Sequence, residues 1–178
     1  MRHEVRFSGF GGQGIILAAV VLGRAAALYD GKHAVQTQVY GPEARGGASM
    51  SAVIIDDEPI LYPEASVPDL YVIMSQEGFE KYGAKAPREA VMLIDSDMVE
   101  GRPECTFHEI PATSEARTTL GKVIVANIVM LGALVAATGI VSEASIEKAV
   151  LDSVPKGTEK LNLSALKRGM ELVRGKKP

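Results

Sequence analysis

Tryptophan is absent from this 178-residue chain, cysteine occurs once, and aromatic residues make up only 5% of it. The single cysteine, Cys105, excludes an intrachain disulfide and any cysteine array able to hold zinc or an iron–sulfur cluster. Such usage fits a reducing compartment. The formal charge of −3 has the wrong sign for a general nucleic-acid binder. Positive charge gathers only near the C-terminal end (Lys167, Arg168, Arg174, Lys176, Lys177), a pattern read as a solvated helix face. The chain opens Met1-Arg2-His3-Glu4 and enters a strand at once, with no charged-then-apolar leader, so the expected location is cytoplasmic. The histidines, His3, His33 and His108, lack metal-ligand spacing. One run, Val123 to Val141, is almost wholly apolar and close to membrane-spanning length. It lacks aromatic anchors, and its small residues (Ala126, Gly132, Ala133, Ala136, Ala137) suit close packing within protein. The expectation is a helix buried all round, covered by the domain itself or in part by a partner, and no membrane span.

Hydrophobic residues are 47% of the chain, enough to fill a sizeable core with small aliphatic side chains, and the length suits one domain over residues 1–178. Glu4–Ser8 reads as a strand, and a helix follows over Ile15–Tyr29, closed by Asp30-Gly31. His33–Tyr40 and Ala48–Asp56 are two more strands joined by a short polar loop, which predicts an antiparallel pair. Leu70–Met74 and Ala90–Asp95 are short buried strands, with Ser75 placed to cap a short helix over Gln76–Tyr82. Thr106–Ile110 is an expected edge strand. Helical spacing covers Leu120–Thr138, stopped by Gly139, then Glu143–Val154 and Leu163–Val173. This order predicts an α/β fold: an open, mostly parallel, Rossmann-like sheet flanked by helices, with an antiparallel strand pair.

Between the first strand and the first helix stands Gly9-Phe10-Gly11-Gly12-Gln13-Gly14. Gly9, Gly11 and Gly14 fit G-x-G-x-x-G in its strand–turn–helix setting, where backbone N–H groups can hold a phosphate. The same glycines would equally serve a tight turn packed against a neighbour. Direct binding of a nicotinamide dinucleotide calls for an acid at the end of the second strand, which instead ends Gln36-Thr37-Gln38-Val39-Tyr40. No Gly-Lys-Ser/Thr follows the glycines, so this is not a P-loop. The amide of Gln13 has three conceivable uses: a ligand, a partner's backbone or solvent. In the second loop, Arg45 beside Gly46 and Gly47 could fork onto a carboxylate or phosphate, or be an ordinary surface arginine. Asp95-Ser96-Asp97 end a buried strand and could bind a hydroxyl or a metal, or cap the next element. Asn127, inside the apolar helix, needs hydrogen-bond partners from a nearby loop or another subunit, and an architectural role is expected of it.

Taken in order, Gly9-Phe10-Gly11-Gly12-Gln13-Gly14, then Tyr40-Gly41-Pro42-Glu43-Ala44-Arg45-Gly46-Gly47 with Ser49–Ile60, then Ala126-Asn127-Ile128-Val129-Met130-Leu131-Gly132-Ala133, closely resemble the gamma subunit of 2-oxoacid:ferredoxin oxidoreductases. The likeness covers nearly the whole chain. It implies an enzyme that oxidatively decarboxylates a 2-oxoacid to an acyl-coenzyme A and reduces ferredoxin. It implies alpha, beta and ferredoxin-like delta subunits as partners, with thiamine diphosphate, magnesium and iron–sulfur clusters held by those partners. For this chain the resemblance implies no catalytic residue and no metal. It implies a cofactor-binding role for Gly9, Gly11, Gly12, Gln13, Gly14, Arg45, Gly46 and Gly47, toward coenzyme A or a subunit interface. Basic residues near the turn hold the phosphates in related single-chain enzymes. Here the helix begins Ile15-Ile16-Leu17-Ala18 and carries no Lys or Arg before Arg24, which leaves Arg45 as the expected cation. The competing readings are a stand-alone Rossmann-like nucleotide-binding protein and an assembly protein without ligand. In isolation the apolar helix could also support a homodimer. The choice among pyruvate, 2-oxoglutarate, branched-chain acids and indolepyruvate is expected to lie in the thiamine-holding subunits.

Overall fold

In a computed structural model the described residues are 1–39, 48–63 and 66–175. The loop over 40–47, with Arg45, Gly46 and Gly47, lies outside them. Six strands form one sheet: β1 (His3–Phe10), β2 (His33–Val39), β3 (Ala48–Asp56), β4 (Leu70–Ile73), β5 (Val91–Asp95) and β6 (Thr106–Ile110). Their spatial order is β2-β3-β1-β4-β5-β6. β3 runs antiparallel to both neighbours, while β1, β4, β5 and β6 are parallel. The expected antiparallel pair and the edge position of β6 are both present. The first strand runs farther than its apolar pattern suggested, because Gly9 and Phe10 continue the ladder opposite Ser49 and Ala48.

The period of two in the central strands builds a core on each face. Leu70 and Val72 of β4 and Leu93 of β5 enter the larger core. Tyr71, Ile73, Met92 and Ile94 enter a smaller one with Phe79 and Cys105. Burial pushes the Cys105 thiol up from its ordinary range, so it stays protonated at neutral pH. On the larger-core face, α1 (Ile15–Arg24) is buried through Ile15, Ala18, Ala19, Val21 and Leu22, and its last turn widens over Ala25–Tyr29. On the smaller-core face, α2 (Gln76–Gly78) and a wide turn over Phe79–Gly83 lie under β4. The Ser75 hydroxyl accepts from the Gly78 N–H at 3.0 Å, as the expected cap.

The remaining helices all add to the larger-core face: α3 (Ala112–Thr118), α4 (Ala126–Thr138), α5 (Glu143–Ser153) and α6 (Glu159–Arg174). α3 has no counterpart in the apolar pattern: at seven residues it is too short to display one. The helix expected from Leu120 starts as α-helix only at Ala126, because Gly121 turns the chain with φ 74° and Val123–Val125 form a single 3₁₀ turn. Every residue of α4 from Ala126 to Val135 is buried, packed against α1, α3, α6 and the sheet. The domain itself covers its apolar helix. No helix among the described residues is long and apolar enough to cross a membrane.

α4 and α6 meet backbone to backbone. A Cβ at Gly132 would stand 2.0 Å from the Leu166 carbonyl oxygen, and one at Gly169 would stand 1.9 Å from that of Val129. A glycine inside a helix ordinarily weakens it by up to ~1 kcal/mol relative to alanine. Here that loss secures the close approach. Gly132→Ala or Gly169→Ala is therefore expected to destabilise the protein by about 1–3 kcal/mol through overpacking. That is a fall in melting temperature of roughly 2–12 °C. Gly23→Ala in α1, whose Cβ would sit 3.7 Å from Val53 in ordinary contact, is the control and is expected to be neutral or stabilising in the same melt.

α3 is pinned to α6 by Glu115 and Arg168, whose Nε and Nη2 donate to the two carboxylate oxygens at 2.8 and 3.1 Å. The Arg168 guanidinium holds the Glu115 carboxyl below its usual range, against the opposing effect of burial. A carboxyl lowered on folding stabilises above its unfolded value, and that stability is lost as pH falls through the folded value. Glu115→Gln is thus expected to lower the melting temperature at neutral pH. The difference from wild type should close on acidification below the ordinary glutamate pKa of about 4.3. Partial exposure of Arg168 keeps the effect modest.

A candidate ligand cleft at the carboxyl ends of the strands

β1 and β4 are parallel neighbours, yet the chain leaves them on opposite sides of the sheet. β1 continues into α1 on one face and β4 into α2 on the other. A crevice must open between such diverging connections, and open α/β sheets place ligands there. A cleft of about 380 Å³ lies at this point. Its lining comes from the glycine turn (Phe10, Gly12, Gln13), the end of β4 (Met74), the turn after β5 (Met98), α3 (Thr113, Arg117) and the start of α4 (Val123, Ile124, Ala126).

The glycines of the turn do different work. Gly9 lies within β1, and a Cβ there would meet the Gln13 side-chain oxygen at 2.3 Å, so its bareness lets Gln13 fold back. Gln13 then accepts from the Phe10 N–H at 2.9 Å and donates to the Met74 carbonyl at 2.8 Å. Both ends of its amide are engaged inside the chain, fastening the turn to the end of β4. Gly11 and Gly12 are exposed and a Cβ on either would meet nothing within 4 Å; Gly12 also takes φ 94°. Gly14 takes φ 73°, and a Cβ there would stand 2.4 Å from the Asn127 amide nitrogen. That amide donates to the Gly14 carbonyl at 3.0 Å. Asn127 thus has the architectural role expected of a buried amide, and its partner is a loop of its own chain. Gly14 offers no side chain to cap α1, so the first-turn N–H groups of that helix have no side-chain partner.

Asp95 and Asp97 turn inward to the chain. Asp95 is fully buried and accepts from the Thr113 hydroxyl at 2.6 Å and the Asp97 N–H at 3.2 Å, while Asp97 accepts from the Ser114 N–H at 2.6 Å. They cap α3 and set its position over the cleft. Burial pushes the Asp95 carboxyl up, and the hydrogen bond from Thr113 works against that rise. No group of three or more His, Cys, Asp or Glu able to hold a metal occurs among the described residues. His3 pairs with Asp69 at 2.6 Å, and Glu109, neighbour of His108, pairs with Arg102 at 2.6 Å.

Sequence reasoning did not find Met98, Thr113 and Arg117, which reach the cleft on segments whose position only the sheet order sets. The bracketing ends of the second loop do lie close by. Phe10 pairs with Ala48, and Val39 pairs with Met50, at the same end of the sheet as the glycine turn.

The doubly wound topology defines an open α/β domain with a crevice at its switch point, bordered by a glycine turn. The profile of the pyruvate ferredoxin/flavodoxin oxidoreductase family matches residues 4–172, and the chain belongs to that family. A 2-oxoglutarate synthase subunit of Methanocaldococcus jannaschii is 57% identical over 178 residues, spanning 98% of this chain and 95% of that protein. The crystal structure of a keto/oxoacid ferredoxin oxidoreductase gamma subunit from Geobacter sulfurreducens superposes with a TM-score of 0.88 at 45% identity, covering 97% of this chain and 99% of that one. A 2-oxoglutarate:ferredoxin oxidoreductase from Magnetococcus marinus shares the fold, with a TM-score of 0.82 at 21% identity over 99% of this chain and 32% of that one. The relatives are subunits of 2-oxoacid:ferredoxin oxidoreductases, and this chain is a gamma subunit of that kind.

The hold of Asn127 on the turn is directly testable. Asn127→Ala is expected to lower stability by about 0.5–1.5 kcal/mol, because the Gly14 carbonyl loses one of its two donors and keeps the Ala18 N–H at 3.0 Å. Hydrogen exchange should rise over residues 9–14 while the sheet core stays protected.

Proposed function

We propose that this chain forms the acyl-acceptor side of a 2-oxoacid:ferredoxin oxidoreductase, with its glycine turn contacting coenzyme A. The observation that carries the reading is the turn itself: it lines a cleft at the switch point with Gly11 and Gly12 open to approach. Backbone N–H groups at the start of a helix suit phosphate oxygens, of which coenzyme A has several. The Magnetococcus marinus structure, which shares the fold, has 2-oxoglutarate, coenzyme A and succinyl-CoA bound. With one cysteine the chain has no ligand set for an iron–sulfur cluster. The family resemblance assigns thiamine diphosphate, magnesium and the clusters to alpha, beta and ferredoxin-like partner subunits, with ferredoxin reached through them. The high identity to a 2-oxoglutarate synthase subunit favours 2-oxoglutarate as the substrate of the complex. Arg45, Gly46 and Gly47 remain candidates for the same ligand or for the subunit interface. The stand-alone dinucleotide reading is disfavoured by β2, whose last described residues, Gln38 and Val39, include no acid.

Gly11→Ala separates ligand approach from folding. Its backbone is not left-handed, and the added methyl meets nothing in the chain. In the complex reconstituted from all subunits, it is expected to leave the melting temperature unchanged and to raise the apparent KM for coenzyme A several-fold. An unchanged KM with normal assembly refutes contact at the turn. Full activity of a complex assembled without this chain refutes the subunit role.

A further inference from the structure

We propose that Arg117, on the last turn of α3, is the cation that holds a phosphate of the ligand in the cleft. The inference rests on the coenzyme A reading above and names the charged group that the sequence around the turn lacks. It follows by elimination among the polar side chains lining the cleft. The Gln13 amide is engaged at both ends, by Phe10 and Met74. The Thr113 hydroxyl donates to Asp95 at 2.6 Å. Arg117 makes no ion pair or side-chain hydrogen bond with any described residue, although the neighbouring Glu115 is tied to Arg168. Among the described residues it is the one lining side chain whose hydrogen-bonding capacity is wholly available.

The setting favours an anion with an apolar body. Phe10, Met74, Met98, Val123 and Ile124 give the cleft apolar walls, and Phe10 and Ile124 remain 37% and 65% exposed. A guanidinium presents five donors in a planar fork that matches phosphate oxygens two at a time. Beside low-dielectric walls such a charged hydrogen bond gains strength over one in open water. Methionine side chains adapt to a flat or flexible organic group. At about 380 Å³ the cleft is at the small end of ligand sites. It takes one portion of a coenzyme A, with the glycine turn and Arg117 both facing that portion's phosphate. The cation is thus supplied from α3, itself set in place by Asp95 and Asp97, and not from the helix that follows the turn.

The test uses the fully assembled complex carrying Arg117→Ala or Arg117→Lys. It reads equilibrium binding of coenzyme A and of 3′-dephospho-coenzyme A by calorimetry, together with the apparent KM values and the melting temperature. Arg117→Ala is expected to weaken coenzyme A binding about 10-fold or more, the loss of one charged hydrogen-bonded contact. The rise should appear in the KM for coenzyme A and not in that for the 2-oxoacid. Arg117→Lys should recover part of the affinity, and the wild-type advantage should shrink with added salt. A loss confined to coenzyme A assigns the 3′-phosphate to Arg117; an equal loss for both ligands assigns the diphosphate. Unchanged binding by Arg117→Ala overturns the inference. If Gly11→Ala still raises the coenzyme A requirement in that case, the reading of the turn stands without it; if neither substitution has an effect, the reading itself fails.

Discussion

Two amides hold the glycine turn to the scaffold: Gln13, which reaches the end of β4, and, from the far half of the chain, Asn127. Asn127 is 113 positions from Gly14 in sequence, yet its Nδ2 donates to the Gly14 carbonyl at 3.0 Å. The contact is possible only because Gly14 has no Cβ and takes a left-handed conformation. Asn127 is itself placed by α4, which is buried from Ala126 through Val135 and cannot shift without opening the core. α4 is seated by α6 through the paired approaches at Gly132 and Gly169. The helix end of an exposed turn is thus tied to helix packing on one face of the sheet, while Gln13 ties the same turn to the end of β4.

That arrangement explains why polar side chains near the cleft are mostly turned inward. Gln13, Thr113, Asp95 and Asp97 satisfy one another or nearby backbone, and so hold the turn and α3 in a fixed relation. On the proposed coenzyme A reading such rigidity matters, since misplacement of a ligand by about 1 Å can cost much of its reactivity. Beyond these engaged groups, what the described residues present to the cleft is backbone, apolar wall and one guanidinium.

Much of this was legible residue by residue. The continuous apolar run of Leu70, Tyr71, Val72 and Ile73 announced a short buried strand, and all four residues are buried. Gly121 delayed the start of the helix expected from Leu120, because the apolar pattern is blind to a positive φ. α3 went unseen since seven residues led by Pro111 show no full helical period. For the amide of Gln13 a ligand, a partner's backbone or solvent was expected, and none of these is what it meets: the position of Met74 at the end of β4 engages it within its own chain.

Local chemistry in the sequence by itself determined the strands, most of the helices, the glycine turn and the family, because period, composition and short motifs are properties of neighbouring residues. Tertiary structure alone decided which residues meet at the cleft. Strand order brings β1 beside β4 and not beside β2, and sends their following helices to opposite faces. Arg117 lines the same cleft as the glycine turn for that reason: α3 follows a strand three places along the sheet from β1, and no spacing along the chain encodes that distance.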